Sequence, residues 1–255
     1  MSEAGAPVIK VERDPAGFAV VTINRPKVFN ALSKAMRIAL SDSVAQLERE
    51  PAIRVLILTA QGSLFTAGLD LSEWRDGEIA AGAFKFDPVL ALQQFSGPVI
   101  GAINGAAITG GFEIALACDL LIASERASFQ DTHVRVGLLP GWGLSARLSR
   151  LIGLQRAKQL AFTAAPLSAR RALEWGLVAE VVAHDQLLPA ATALARRMLS
   201  GDAATLRAYK ELLDVGASHS LTHALADERQ RALTHNARVS RNEILGRLKT
   251  FRKGS

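Results

Sequence analysis

Glu113 is a carboxylate set in an apolar, glycine-rich run, Pro98 to Asp119, PVIGAINGAAITGGFEIALACD. Burying a charge there is costly unless it is paired, hydrogen-bonded or used. Gly110 and Gly111 come just before it, and helical spacing of Ile114, Leu116, Ala117 and Leu120 puts them at a helix N-terminus. Backbone N–H groups at such an end have no intrahelical acceptor and favour negative charge. An acid or base beside these donors suits chemistry on a carbonyl compound, where an oxyanion must be held. Two bland readings stand beside it: glycines that only permit tight packing, and a glutamate paired with an arginine.

A second glycine-bearing loop, Gln61 to Asp70 (QGSLFTAGLD), follows an apolar strand. Its Ala67-Gly68 pair and the Gly110-Gly111 pair can each lend one N–H to the same oxygen, provided that the fold brings them together. Other motifs carry less. Gly141-Trp142-Gly143-Leu144-Ser145-Ala146 matches a dinucleotide fingerprint in letters, but a proline-broken loop precedes it where a strand is required. His219 and His223 have zinc-like spacing with no glutamate between them and no third ligand in view, so a solvated helix face is expected and no metal site.

The elements that must position these groups can be read in outline. Val8–Glu12 and Phe18–Ile23 form a hairpin on Asp14-Pro15-Ala16-Gly17. Asn30 is placed to cap a helix running to about Glu50. Ile53–Thr59 is continuously apolar and β-branched, as in a strand buried on both faces. Pro88–Gln94 is a helix, Val99–Ile103 and Asp119–Ser124 are strands, and Ala127–Val136 is irregular. A helix then carries Leu144, Leu148 and Leu151 on one side, and a short strand lies near Val178–Val182. Strands and helices alternate to about residue 150, and helices dominate after about residue 185, which argues for an α/β core with a helical C-terminal region. A strand-strand-helix unit recurs.

At 255 residues, 49% apolar and 21% charged, the chain has the composition of a globular protein, not of a disordered one. The one cysteine, Cys118, excludes an internal disulfide and fits a reducing, cytoplasmic setting. The start MSEAGAP has no secretory pattern, and Glu113 and Asp119 interrupt the only stretch apolar enough to suggest a membrane span. The formal charge of +6 calls for an anionic partner. Bases without interleaved aromatics give nucleic acid little support, whereas a phosphorylated small molecule accounts for the same excess.

Five stretches together resemble the crotonase family, the enoyl-CoA hydratase/isomerase superfamily. They are NRPKVFNAL (Asn24–Leu32), GSLFTAGLDL (Gly62–Leu71), AINGAAITGGFEIALACDLLIAS (Ala102–Ser124), VGLLPGWGLSARLSRLIG (Val136–Gly153) and ALEWGLVAEVV (Ala172–Val182). They occur in family order and reach across nearly the whole chain.

The resemblance implies an α/β crotonase-like spiral of repeated β-β-α units over residues 1–190, with a helical region at 191–255 that builds homo-trimers or a dimer of trimers. It implies an acyl-CoA thioester as partner, no nucleic acid or membrane, and no cofactor beyond the coenzyme A of the substrate. The oxyanion donors map onto the N–H groups of Ala67 and Gly110, and Glu113 falls on the first catalytic glutamate. At the second, four residues before Gly137, this chain has His133. An imidazolium can donate a proton as a carboxylic acid can, so His133 is either the acid, a relay through water or a polar filler, with Asp131 as a third option. Arg25, Lys27, Leu69, Asp70 and Trp142 are the substrate-binding candidates; Asp70 also fits a loop-fixing role. Lys249 and Lys253 are further candidates for the coenzyme A phosphates, and the segment from Ser72 to Pro88 is expected to set acyl-chain length. Hydration of a trans-2-enoyl-CoA is the leading expectation; the alternatives are an enoyl-CoA isomerase working with Glu113 alone and a non-catalytic acyl-CoA binder.

Overall fold

The computed structural model describes residues 6–73 and 86–253, with side chains described to residue 248. The chain opens with the hairpin β1 (Ile9–Asp14) and β2 (Phe18–Ile23) and the helix α1 (Lys34–Glu48). Two strands, β3 (Val55–Ala60) and β4 (Leu64–Thr66), precede α2 (Pro88–Gln94). The order then repeats as β5 (Val99–Ile103), β6 (Ala106–Ile108) and α3 (Gly110–Leu116), and again as β7 (Leu120–Ser124), β8 (Ser128–Gln130) and α4 (His133–Val136). After these come α5 (Leu144–Ile152), α6 (Leu154–Thr163), β9 (Leu167–Ser168), α7 (Ala169–Glu174), β10 (Glu180–Val182) and α8 (Leu187–Leu199).

Each β-β-α turn sends its first strand to one sheet and its second to another. The six-stranded sheet has the order β1-β2-β3-β5-β7-β10, and the four-stranded sheet the order β4-β6-β8-β9. Neighbours in the large sheet are parallel except β1 with β2. Because β3 lies between β2 and β5, and α8 packs over β3, β5 and β7, every residue of β3 and β5 is buried. This is the environment that continuous Val/Leu/Ile runs require.

Three sequence expectations change. The cap of α1 is Ser33, whose hydroxyl accepts the Met36 N–H at 3.2 Å. Asn30 sits upstream in a left-handed conformation (φ 56°); its amide donates to the carbonyls of Gln61 and Leu64, both at 2.8 Å. It pins the β3–β4 turn instead of a helix. The stretch Ala127–Val136 is not irregular: it holds β8 and α4, both too short for periodicity to register. Leu151 is exposed and Ile152 takes its place in the core.

Two compact units result, Met1–Gly201 and Asp202–Ser255. The helix α8, assigned by sequence partly to the C-terminal region, belongs to the first unit because it covers the large sheet. The second unit contains α9 (Ala203–Gly216), α10 (Leu221–Asn236) and α11 (Arg241–Lys253). Within it Arg231 bridges Glu211 at 2.6 Å and Asp227 at 2.7 Å, and the rings of His219 and His223 stack 4.7 Å apart. Tyr209, Leu213, Leu221, Leu225 and Leu233 are exposed in this unit. Among the described residues no helix is long and apolar enough to cross a membrane.

Candidate active site

The site is assembled from the ends of the repeated units. After β4 the chain turns at Gly68 (φ 89°) and runs beside α1's approach: Leu32 N–H donates to the Gly68 carbonyl at 2.8 Å, and Asp70 N–H to the Leu32 carbonyl at 3.3 Å. Arg25 closes this loop with an ion pair to Asp70 at 3.1 Å and a hydrogen bond to the Ala31 carbonyl. The Ser72 hydroxyl at 2.6 Å and the Arg25 guanidinium hold the Asp70 carboxyl below its ordinary range.

That wiring corrects three sequence assignments. The N–H of Ala67 donates to the Phe29 carbonyl at 3.0 Å, so it is already used and cannot serve an oxyanion. The N–H of Leu69, two residues on, has no acceptor among the described residues. Arg25 and Asp70 satisfy each other and shape the loop; neither lines the cavity. Lys27 is exposed on the short turn Pro26–Val28. The side chains of Lys249 and Lys253 and most of the segment expected to set chain length (residues 74–85) lie outside the described residues.

Across the cavity, Thr109 introduces α3 with φ 53° and ψ −108°, a backbone region costly for a β-branched residue. It is held there by its N–H to the Gln130 carbonyl at 2.8 Å and by a side-chain hydrogen bond to Thr132. The turn brings the Gly110 amide beside that of Leu69 on the wall of one cavity: a β-carbon on Gly110 would stand 3.7 Å from the Leu69 nitrogen, and one on Gly68 3.4 Å from the Gly110 nitrogen. Neither amide has an acceptor among the described residues, so two free donors stand side by side, as an oxyanion hole requires.

Close packing behind α3 fixes the position of these donors. A β-carbon on Gly111 would lie 2.5 Å from Thr66 Cγ2 and 2.7 Å from the Thr66 carbonyl oxygen. Since backbone cannot yield cheaply, Gly111→Ala is expected to cost about 1–3 kcal/mol, read as a lower urea midpoint. An unchanged midpoint would show that this contact is not tight.

Glu113 is 3% exposed. Its Oε1 accepts the N–H groups of Trp142 at 2.7 Å and Leu144 at 3.3 Å. The Gly141-Trp142-Gly143 stretch thus presents amides to a carboxylate, and its glycine at 143 takes φ 102° to do so. Burial lifts the Glu113 carboxyl above its ordinary range, against the opposing effect of those two amides and of His133. Oε2 faces His133 Nε2 at 3.9 Å. A water bonded to both at about 2.8 Å fits at the apex of a triangle on that base. His133 Nδ1 lies 2.7 Å from Asp131 Oδ1.

These groups open on a cavity of about 360 Å³ lined by Ala67, Leu69, Thr109, Gly110, Glu113, Thr132, His133 and Trp142, with Leu71, Val136, Leu138 and Leu139 as further apolar wall. Of the residues proposed from sequence, Ala67, Leu69, Gly110, Glu113, His133 and Trp142 meet here, and Arg25, Lys27 and Asp70 do not. Thr109, Thr132 and the Leu69 amide were not foreseen in these roles. An unusual dihedral or the direction of one amide leaves no mark in composition or period.

Comparison with known proteins covers the stretch of chain that holds these residues. The family described as Enoyl-CoA hydratase/isomerase matches residues 13–246. A probable enoyl-CoA hydratase 1, peroxisomal, of Arabidopsis thaliana is 37% identical over 244 residues, covering 93% of this chain and 90% of that one. A short-chain-enoyl-CoA hydratase of Clostridium acetobutylicum is 38% identical over 216 residues, 82% of each. The crystal structure of an enoyl-CoA hydratase from Bacillus anthracis superposes with a TM-score of 0.90 at 33% identity, covering 97% of both chains.

Proposed function

The chain belongs to the enoyl-CoA hydratase/isomerase family, and from that premise we propose that it is an enzyme that adds water across the 2,3 double bond of a trans-2-enoyl-CoA. The observation that carries the reading is the meeting, in one cavity, of two unpaired amides with a buried carboxylate and an imidazole 3.9 Å apart.

In the proposed reaction the thioester oxygen rests on the N–H groups of Leu69 and Gly110. Glu113 Oε2 takes a proton from water as its oxygen bonds to C3, and the electron pair of the double bond moves to the thioester as an enolate. His133 Nε2–H then protonates C2. Proton transfer from Glu113 back to His133 restores the starting state, so the enzyme is regenerated and only water and the enoyl-CoA are consumed. Loss of one oxyanion donor typically costs about 10²–10³-fold, which sets the scale for each of the two amides. The reading needs no cofactor beyond the coenzyme A that the substrate carries. Lys27 is the proposed contact for the coenzyme A phosphates, and Trp142 for the acyl chain. A cytoplasmic location is part of the same proposal, supported by the single, buried cysteine. So is assembly into trimers or a dimer of trimers, supported by the exposed leucines of the C-terminal unit.

Crotonyl-CoA tests it directly. The purified protein is expected to bleach the conjugated-enoyl absorbance. No change across short and long 2-enoyl chains would overturn hydration. In that event, a rising absorbance from a 3-enoyl-CoA would assign an isomerase, and a melting temperature raised by acyl-CoA without turnover would assign a binder.

A further inference from the structure

Asp131 is not needed to build the cavity wall, yet it is 3% exposed and spends one oxygen entirely on His133. Oδ1 accepts the His133 backbone N–H at 3.0 Å and meets its ring Nδ1 at 2.7 Å. An ionised carboxylate only accepts hydrogen bonds. The ring must therefore keep its proton on Nδ1, and Nε2 is left as the nitrogen that gains or loses one, 3.9 Å from Glu113 Oε2.

We infer that Asp131 is a positioning residue that turns His133 into the proton donor of the reaction: it fixes the Nδ1–H tautomer and stabilises the imidazolium whose Nε2–H goes to C2. This rests on the hydration reading above. A neutral imidazole with Nδ1–H has a lone pair on Nε2 and cannot donate there. To donate, the ring must be cationic, and a cation this deep needs a paired anion. Glu113 cannot be that anion throughout, because it becomes neutral when it takes the proton of water. Asp131, which takes no part in the proton transfers, supplies the constant counter-charge through the contact of its Oδ1 with Nδ1. The other charged side chains on the ring's own helix and on the helix packed against it, Arg135 on α4 and Arg156 and Lys158 on α6, are exposed, and Thr109 and Thr132 are uncharged.

The same carboxylate also closes a turn at the start of α4 through the backbone N–H, which is a purely structural use. Asp131→Asn separates the two, because asparagine serves as well as aspartate in that turn but carries no charge. With crotonyl-CoA as probe, the expected result for D131N is a folded protein, KM little changed, and kcat lower by about 100-fold. The alkaline limb of its kcat profile should move to lower pH, and the titration midpoint of His133, followed by nitrogen-15 NMR, should fall with it. In a His133→Glu background, which needs no counter-ion, D131N should change little. A uniform loss with the limb and the His133 midpoint unmoved would overturn the inference. If D131N does not fold, the wild-type spectrum decides: a neutral His133 carrying its proton on Nε2 would contradict the proposal. A wild type whose neutral His133 carries its proton on Nδ1 but which does not hydrate crotonyl-CoA would remove the hydration reading, and with it the role of the dyad, while leaving the dyad itself in place.

Discussion

Glu113→Gln is expected to lower kcat for crotonyl-CoA hydration by about 10⁴-fold, the upper end of what a positioned general base contributes. Glutamine keeps an oxygen for the amides of Trp142 and Leu144, which approach Oε1 at 2.7 Å and 3.3 Å. It loses only the ability to take a proton. Binding of substrate should change little, since the amides of Leu69 and Gly110 are untouched. The same variant should gain stability, and the sign follows from burial. Because burial is the largest influence on Glu113 and raises its carboxyl, the folded state holds that proton more tightly than the unfolded one. The stabilisation associated with it is fully present below the ordinary carboxylate range and is lost as pH rises through the raised value. E113Q has no such loss. It should melt near the wild-type temperature in acid and above it at pH 8, which is the trade of stability for activity common at reactive sites. Turnover retained within tenfold would remove Glu113 from the mechanism.

His133→Ala should lower kcat by about 10²–10³-fold with a small change in KM. The ring is 8% exposed and lies between two carboxylates, at 2.7 Å from Asp131 and 3.9 Å from Glu113. Removing it deletes the proton donor for C2 and leaves Asp131 without its ring partner, so some loss of stability is expected as well. His133→Glu separates these effects. A carboxylic acid can donate to C2, so this variant should recover part of the hydration that the alanine variant loses. Near wild-type turnover of H133A would make the imidazole a filler, and a variant that isomerises 3-enoyl-CoA normally while failing to hydrate would confine the ring to the water step.

Much of this arrangement was legible from residue types. The buried strand expected at Ile53–Thr59 from continuous apolar patterning forms at Val55–Ala60, and the helix expected at Pro88–Gln94 forms with those bounds. Glu113 stood out because a carboxylate in an apolar run must be satisfied, and the fold meets that demand with amides from a loop near residue 142. What stayed hidden depends on contacts distant in sequence. Asn30 looks like a helix cap until the carbonyls of Gln61 and Leu64 claim its amide. Ala67 and Leu69 are equivalent in composition; only the Phe29 carbonyl, which takes the Ala67 N–H, decides between them. The strands β6 and β8 contain three residues each, too few for period to distinguish from loop, yet they carry the turn that aims Gly110. Asp131 and His133 could be named from sequence, but the sharing of one oxygen between a backbone and a ring N–H could not.

Whether this cavity places water on C3 and a proton on C2 of an enoyl thioester is read by incubating the purified protein with crotonyl-CoA in oxygen-18 water and, separately, in deuterium oxide, with products analysed by mass spectrometry and NMR. The expected product is 3-hydroxybutyryl-CoA with one oxygen-18 in its hydroxyl group and, from deuterium oxide, one deuterium at C2, with the thioester intact. Release of free coenzyme A with oxygen-18 in a carboxylate, or recovery of unlabelled crotonyl-CoA, would contradict it.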